Sequence, residues 1–204
     1  MWKRTLVTMV CVAAAVALAV PAAAVRTQAA IGKADASGWL GSDAETARKL
    51  VHAATYGTVS TINATNGYAM GSVLSVSDGA VDKSTGRLLF YITPMDLASQ
   101  NIAKDPQCTF TISGAQVSPH ECALLDPENP LCSQISLSGK MAEVPAAAQA
   151  EAREMIFARH PTMALWPKNH EFSCWELKID TIRLLSQFGG AHFVPVDTYF
   201  SAKV

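Results

Sequence analysis

The chain has 204 residues, half of them hydrophobic, and 16 Lys and Arg against 17 Asp and Glu give a formal net charge of −1. That length suits one domain with a sizeable core. The near-neutral balance, with no basic run, excludes a nucleic-acid binder held by phosphate contacts.

At the N-terminus, Met1-Trp2-Lys3-Arg4 is a charged start, Thr5 to Val20 is apolar, and Pro21-Ala22-Ala23-Ala24 supplies small residues for cleavage. These three parts make residues 1–24 a secretory signal peptide. An uncleaved anchor is the alternative, because the run from Leu6 to Val25 approaches the ~20 residues a spanning helix needs. After cleavage no segment is expected to span a membrane. Residues 25–41 lack periodicity and read as a flexible leader, so the predicted domain is 42–204.

Cys11 leaves with the signal, and Cys108, Cys122, Cys132 and Cys174 remain in an oxidising route. Cys122 and Cys132 bracket a Pro-containing loop that a short bridge would close, contributing roughly 2.8 kcal/mol in the chain-entropy model. Cys108 with Cys174 is then the remaining pair, and the other two connectivities stay open. A metal site of His120 and Cys122 with Cys132 or Asp126 lacks close-spaced paired ligands.

Ser42-Asp43-Ala44-Glu45 opens a capped helix whose apolar face is Ala44, Ala47, Leu50, Val51 and Ala54. Gly57 to Thr65 and Gly67 to Ser77 are β-rich runs around Asn66-Gly67, which favours a tight hairpin turn. After a polar loop, Arg87 to Ile92 is a strand, and Thr93-Pro94 is expected to start a helix as N-cap and first residue. Cys108–Ser113, Ile135–Val144 and Phe172–Leu185 are further strands. A second Ala-rich helix runs from Pro145 to Pro161, and Pro195 opens a C-terminal turn. About six strands with isolated helices and no regular βαβ alternation predict an α+β protein built on an antiparallel barrel.

The most characteristic stretch is Arg159-His160-Pro161, then Trp166-Pro167, a long strand, and Phe188-Gly189-Gly190. Taken singly, Arg159 and His160 read as positive charge at a helix C-terminus and Phe188 as core. As an ordered set they resemble the C-terminal half of the CREG family of secreted glycoproteins, within the flavin-binding split-barrel class that includes pyridoxamine-phosphate-oxidase-like proteins. The resemblance runs from about Ala44 to about Tyr199. It implies a split β-barrel with peripheral helices, a homodimer with any cofactor pocket at its seam, a secreted or endolysosomal location, and action on a protein receptor.

Flavin-binding relatives carry a Ser-x-x-x-x-His-Thr-x-Asn pattern, usually with Arg before the Asn, that helps hold the flavin phosphate. Here Thr93, Ser99 and Asn101 match, while Ala98 stands for the His and Gln100 for the Arg. Ser72, on the preceding hairpin, is a weaker candidate. Without cations a phosphate dianion loses charge-assisted hydrogen bonds worth about 1.5–3 kcal/mol each. No cofactor is therefore expected, with FMN as the alternative through those four residues.

No catalytic motif stands out. His52, His120, His160, His170 and His192 are scattered, Gly-x-Ser-x-Gly is absent, and His170 and His192 read as structural. Asn63-Ala64-Thr65 is an N-glycosylation motif, accessible if the chain is secreted. The alternative is an unmodified Asn beside a hairpin turn.

Overall fold

Strict alternation along the strands builds the sheet. In β1 (Tyr56–Ile62) residues alternate exposed and buried, and β4 (Gln107–Ser113) and β5 (Gln134–Glu143) repeat the pattern. The computed structural model describes residues 41–122 and 124–204. The predicted signal, nearly all of the leader and the side chain of His120 lie outside the described residues.

The other elements are α1 (Asp43–Ala53), β2 (Ala69–Ser75), β3 (Leu88–Ile92), α2 (Leu97–Ile102), α3 (Gly114–Val117), α4 (Pro119–Cys122), α5 (Gln149–Arg159), β6 (Ser173–Leu185), β7 (His192–Val194) and α6 (Val196–Ser201). Six strands form one antiparallel path, β2-β1-β4-β5-β6-β3, and β7 pairs with β6. The two ends of the path meet at an antiparallel bridge between Ser77 and Leu89, which curls the sheet into a barrel.

Inward residues Val59, Phe90, Phe110, Ile112, Ile135, Leu137, Ile182 and Leu184 fill the main core, where Phe90 meets Phe110 edge-on at 5.1 Å. Each such burial contributes about 1.5–3 kcal/mol. Helix α1 joins this core through Ala44, Ala47, Leu50 and Val51. Its start is held by the predicted capping box: the Glu45 N–H donates to Ser42 Oγ, and the Ser42 N–H donates to Glu45 Oε2. A smaller cluster of Leu89, Val144, Ala152, Ile156, Met163 and Cys174 packs α5 and the turn after it onto β3 and β6.

Four expectations need correction. The first hairpin is wider than a two-residue turn, since its strands stop at Ile62 and resume at Ala69. Local bonds win there: Asn63 Oδ1 accepts the Thr65 N–H at 2.9 Å, and Gly67, at φ +75°, turns its N–H back to the Asn63 carbonyl at 2.8 Å. Helix α2 starts at N-cap Asp96 rather than at Thr93, whose hydroxyl donates to the His170 carbonyl at 2.5 Å and accepts from the Met95 N–H at 3.2 Å.

The third correction concerns Phe188, which is 70 % exposed rather than core. It sits on the β6–β7 connection, where Gly189 and Gly190 take φ of +116° and +113°, a region only glycine enters readily. The fourth is the second disulfide. Cys122 and Cys132 are bonded, but Cys108 and Cys174 are free, because β4 places one in the main core and β6 places the other in the cluster under α5. Burial pushes the Cys108 thiol up to about 11 and also raises that of Cys174, so both thiols are poor nucleophiles.

Candidate functional site

The segment from Thr93 to Asn101 joins β3 to α2. The structure spends most of its polar atoms internally. Asn101 is buried, its Oδ1 accepting the Ala64 N–H at 3.2 Å and its Nδ2 donating to Thr61 Oγ1 at 3.1 Å. This amide pins α2 to the first hairpin. Thr93 is committed to His170 and Met95 as described above. Gln100 Nε2 lies at 3.4 Å from the carbonyls of Pro94 and Met95.

Ala98 is only 1 % exposed and belongs to the main core. A cationic side chain there would have to displace packed atoms. Ser99 differs from its neighbours, because its Oγ is buried and has no hydrogen-bond partner. Ser72 is half-buried on β2, opposite Val59. These residues offer a flavin phosphate no cation: Thr93 and Asn101 face other protein groups, Ala98 and Gln100 are neutral, and the hydroxyls of Ser72 and Ser99 remain.

A second polar centre lies around Asp78, and no periodic signal in the sequence announces it. The Asp78 side chain is fully buried. Its Oδ1 lies 2.8 Å from His52 Nδ1, its Oδ2 accepts from Ser84 Oγ at 2.5 Å, and Arg159 Nη1 stands 3.8 Å away. Arg48 reaches the same group through Ser84 Oγ at 2.9 Å. Its other arm donates to the carbonyls of Tyr199, Phe200 and Ala202, closing the C-terminal end of α6. The Tyr199 hydroxyl donates to the Gly86 carbonyl at 2.9 Å, and burial raises its pKa above the usual tyrosine range.

This centre has no spare base. His52 Nε2 lies 2.9 Å from the Val81 carbonyl and its Nδ1 lies 2.8 Å from Asp78 Oδ1, so both ring nitrogens are already engaged by protein groups. Ser84 donates to the carboxylate rather than to the imidazole. Ser, His and Asp are thus together without the order that nucleophilic catalysis needs. Among the described residues no cluster of His, Cys, Asp and Glu is arranged to hold a metal ion.

Arg159 and His160 have structural duties in this setting. Arg159 Nη2 donates to the Ala54 carbonyl at 3.2 Å, so it caps α1 rather than its own helix. The His160 ring bonds the Val76 carbonyl at 3.0 Å, and His192 pairs with Asp43 at 2.7 Å. The pair that marks the sequence clamps α5 onto α1 and onto the chain just after β2. A signal for the centre existed only in Ser77-Asp78-Gly79, which the sequence presents as an ordinary loop.

A family model described as CREG, beta-barrel matches residues 40–201. The chain belongs to the CREG family. Mouse Protein CREG2 is 34 % identical over 174 residues, covering 84 % of this chain and 60 % of that protein. Mouse Protein CREG1 is 34 % identical over 161 residues, covering 78 % and 73 %. The chain thus spans less than two thirds of its CREG2 relative. Among solved structures, a heme-binding protein from Mycobacterium smegmatis superposes with a TM-score of 0.66 at 20 % identity, covering 80 % of this CREG chain and 62 % of that chain. That likeness is one of fold, the split barrel. Among the described residues no helix is long and apolar enough to cross a membrane.

Proposed function

We propose that this CREG-family chain is a secreted or endolysosomal glycoprotein that acts as a homodimer by binding another protein, without bound flavin and without turnover of its own. The observation that carries the reading is the commitment of Thr93 and Asn101 to internal partners beside a buried Ala98 and a neutral Gln100. A phosphate dianion finds no cationic side chain in this pattern, and the strongest hydrogen bonds to phosphate are charge-assisted. The test is incubation of the purified protein with excess flavin mononucleotide, followed by desalting and calorimetry. A colourless protein with no binding heat is expected, and a retained flavin spectrum overturns the reading. Sedimentation at micromolar concentration should give a dimer, and a monomer alone removes that part.

The competing reading is an FMN-dependent oxidoreductase of the pyridoxamine-phosphate-oxidase-like class. One observation favours it: the unpartnered Ser99 hydroxyl, a buried donor of the kind a bound oxyanion would satisfy. The same flavin experiment decides between the two.

A further inference from the structure

We infer that Asn66 is a site of slow self-modification, in which the backbone nitrogen of Gly67 attacks the Asn66 side-chain amide and converts residue 66 to aspartate or isoaspartate. Water is the only co-reactant. Of the five asparagines in the sequence, only Asn66 precedes a glycine; the others precede Ala64, Ile102, Pro130 and His170. The five-membered ring that must form tolerates little bulk on the attacking residue, and glycine brings none. Here a side chain at position 67 would meet nothing within 4 Å, so the space the ring needs is open. Asn66 and Gly67 are both exposed at the tip of the first hairpin, where water reaches them.

The turn both prepares and restrains this reaction. The Tyr68 N–H donates at 3.1 Å to Asn66 Oδ1, the oxygen that takes up negative charge when Cγ is attacked, and a donor already aimed there lowers the barrier. The Gly67 N–H, in contrast, donates to the Asn63 carbonyl at 2.8 Å, so the attacking nitrogen must first leave that bond. Asn101 accepts the Ala64 N–H at 3.2 Å and so ties this local opening to α2. Asp78-Gly79 has the same potential chemistry without the room for it. The Asp78 carboxylate is buried and held by His52 and Ser84, and a side chain at Gly79 would collide with the Lys83 carbonyl.

The steps balance with water alone. Gly67 N gives its proton to hydroxide and bonds to Asn66 Cγ. The Cγ–Nδ2 bond breaks, and ammonia leaves with the electron pair and a proton from water. Water then opens the cyclic imide: cleavage at Cγ leaves aspartate, and cleavage at the main-chain carbonyl of residue 66 leaves isoaspartate. Nothing is oxidised or reduced. Either product adds a negative charge to the tip. Isoaspartate also lengthens the main chain by one carbon between the Cα of residue 66 and Gly67 N, so the bonds made by the Gly67 and Tyr68 N–H groups lose their register and the pin between Ala64 and Asn101 loosens.

The experiment incubates the purified full chain at physiological temperature and neutral pH and samples it over weeks by peptide mapping with mass spectrometry. The peptide holding residue 66 should exchange NH for O and yield both aspartate and isoaspartate, the second confirmed by labelling with an isoaspartate methyltransferase. Asn66→Gln should abolish the labelling. The rate should rise with hydroxide, approaching about tenfold per pH unit, because the attacking species is the deprotonated nitrogen. In urea, where the turn is open, conversion should be several-fold faster. Hydrogen exchange in the aged protein should quicken at the Tyr68 and Ala64 amides. An intact Asn66 in the folded chain, or aspartate without isoaspartate, overturns the inference. Conversion as fast in the folded chain as in urea overturns the restraint by the turn, and unchanged exchange at Ala64 overturns the link to α2.

Discussion

The Asp78 centre and helix α2 both bury polar side chains against the barrel, yet they do so with opposite chemistry. At Asp78 a carboxylate is surrounded by His52, Arg159 and, through Ser84, Arg48. At α2 the buried groups are neutral: an amide that bonds the first hairpin and a serine hydroxyl that bonds nothing. Apart from Glu176 on β6, which pairs with Arg87 and Lys178, the buried charge of the described residues gathers where α1, the loop after β2, α5 and α6 converge. The segment that matches the flavin-phosphate pattern of relatives holds none. Around Asp78, charge therefore serves assembly of the scaffold.

The largest effect is expected from Asp78→Asn. The substitution keeps the shape of the side chain but removes the negative charge from beside two buried arginines, and breaking a buried ionic arrangement from one side costs about 3–5 kcal/mol. Urea unfolding at neutral pH should show a loss of that order. A loss below about 1 kcal/mol, the scale of an exposed pair, would mean that the hydroxyl and carbonyl contacts hold the centre without the charge.

Asn101→Ala comes next. It removes the hydrogen bonds to the Ala64 N–H and Thr61 Oγ1 and the weaker one to Met70 Sδ, and strands the buried Thr61 hydroxyl, so a loss of about 1–3 kcal/mol is expected in the same measurement. The variant should also raise hydrogen exchange at the Ala64 amide, the N–H that Asn101 accepts. If stability and exchange are unchanged, Asn101 is free to serve a ligand and the two regions are less different than their contacts indicate.

Positions 98 and 100 test the missing cations directly. Ala98→His inserts a ring into the packed core and should cost about 1–3 kcal/mol. Gln100→Arg, at an exposed site, should stay within about 0.5 kcal/mol of the parent. Flavin binding should remain absent in both. Binding gained by Gln100→Arg alone would show that a single positive charge is all the segment lacks, and that Thr93 and Asn101 can be drawn away from their internal partners.

These two regions were unequally legible in the sequence. The barrel could be read because alternation and turn residues act locally: the apolar positions of β4 and β5 point inward as their period requires. Cys122 and Cys132 were readable because the Pro-containing loop between them makes a short closure. The Asp78 centre was not, since Arg48, His52, Asp78, Ser84 and Arg159 come from three segments, α1, the loop after β2 and α5, and each has an ordinary local reading. The start of α2 was displaced for a related reason. Thr93 is a good N-cap by type, but a carbonyl from residue 170, distant in sequence, takes its hydroxyl, and Asp96 takes over the role. Phe188 was misplaced because an aromatic before two glycines looks the same in sequence whether it packs inward or caps an exposed turn.

The smallest effect is also the most discriminating. Ser99 keeps a hydroxyl out of water without a partner, a condition that costs stability unless something supplies the missing bond. Ser99→Ala removes the orphaned group with little loss of volume, so unfolding should show the variant equal to the parent or up to about 1 kcal/mol more stable. The measurement is then repeated with excess flavin mononucleotide. If α2 is a neutral structural helix, Tm is the same with and without flavin in both proteins. If flavin raises the Tm of the parent but not of Ser99→Ala, the hydroxyl is a ligand donor, the segment retains a working phosphate site without cations, and the contrast with the Asp78 centre becomes one between two sites rather than between a clamp and a remnant.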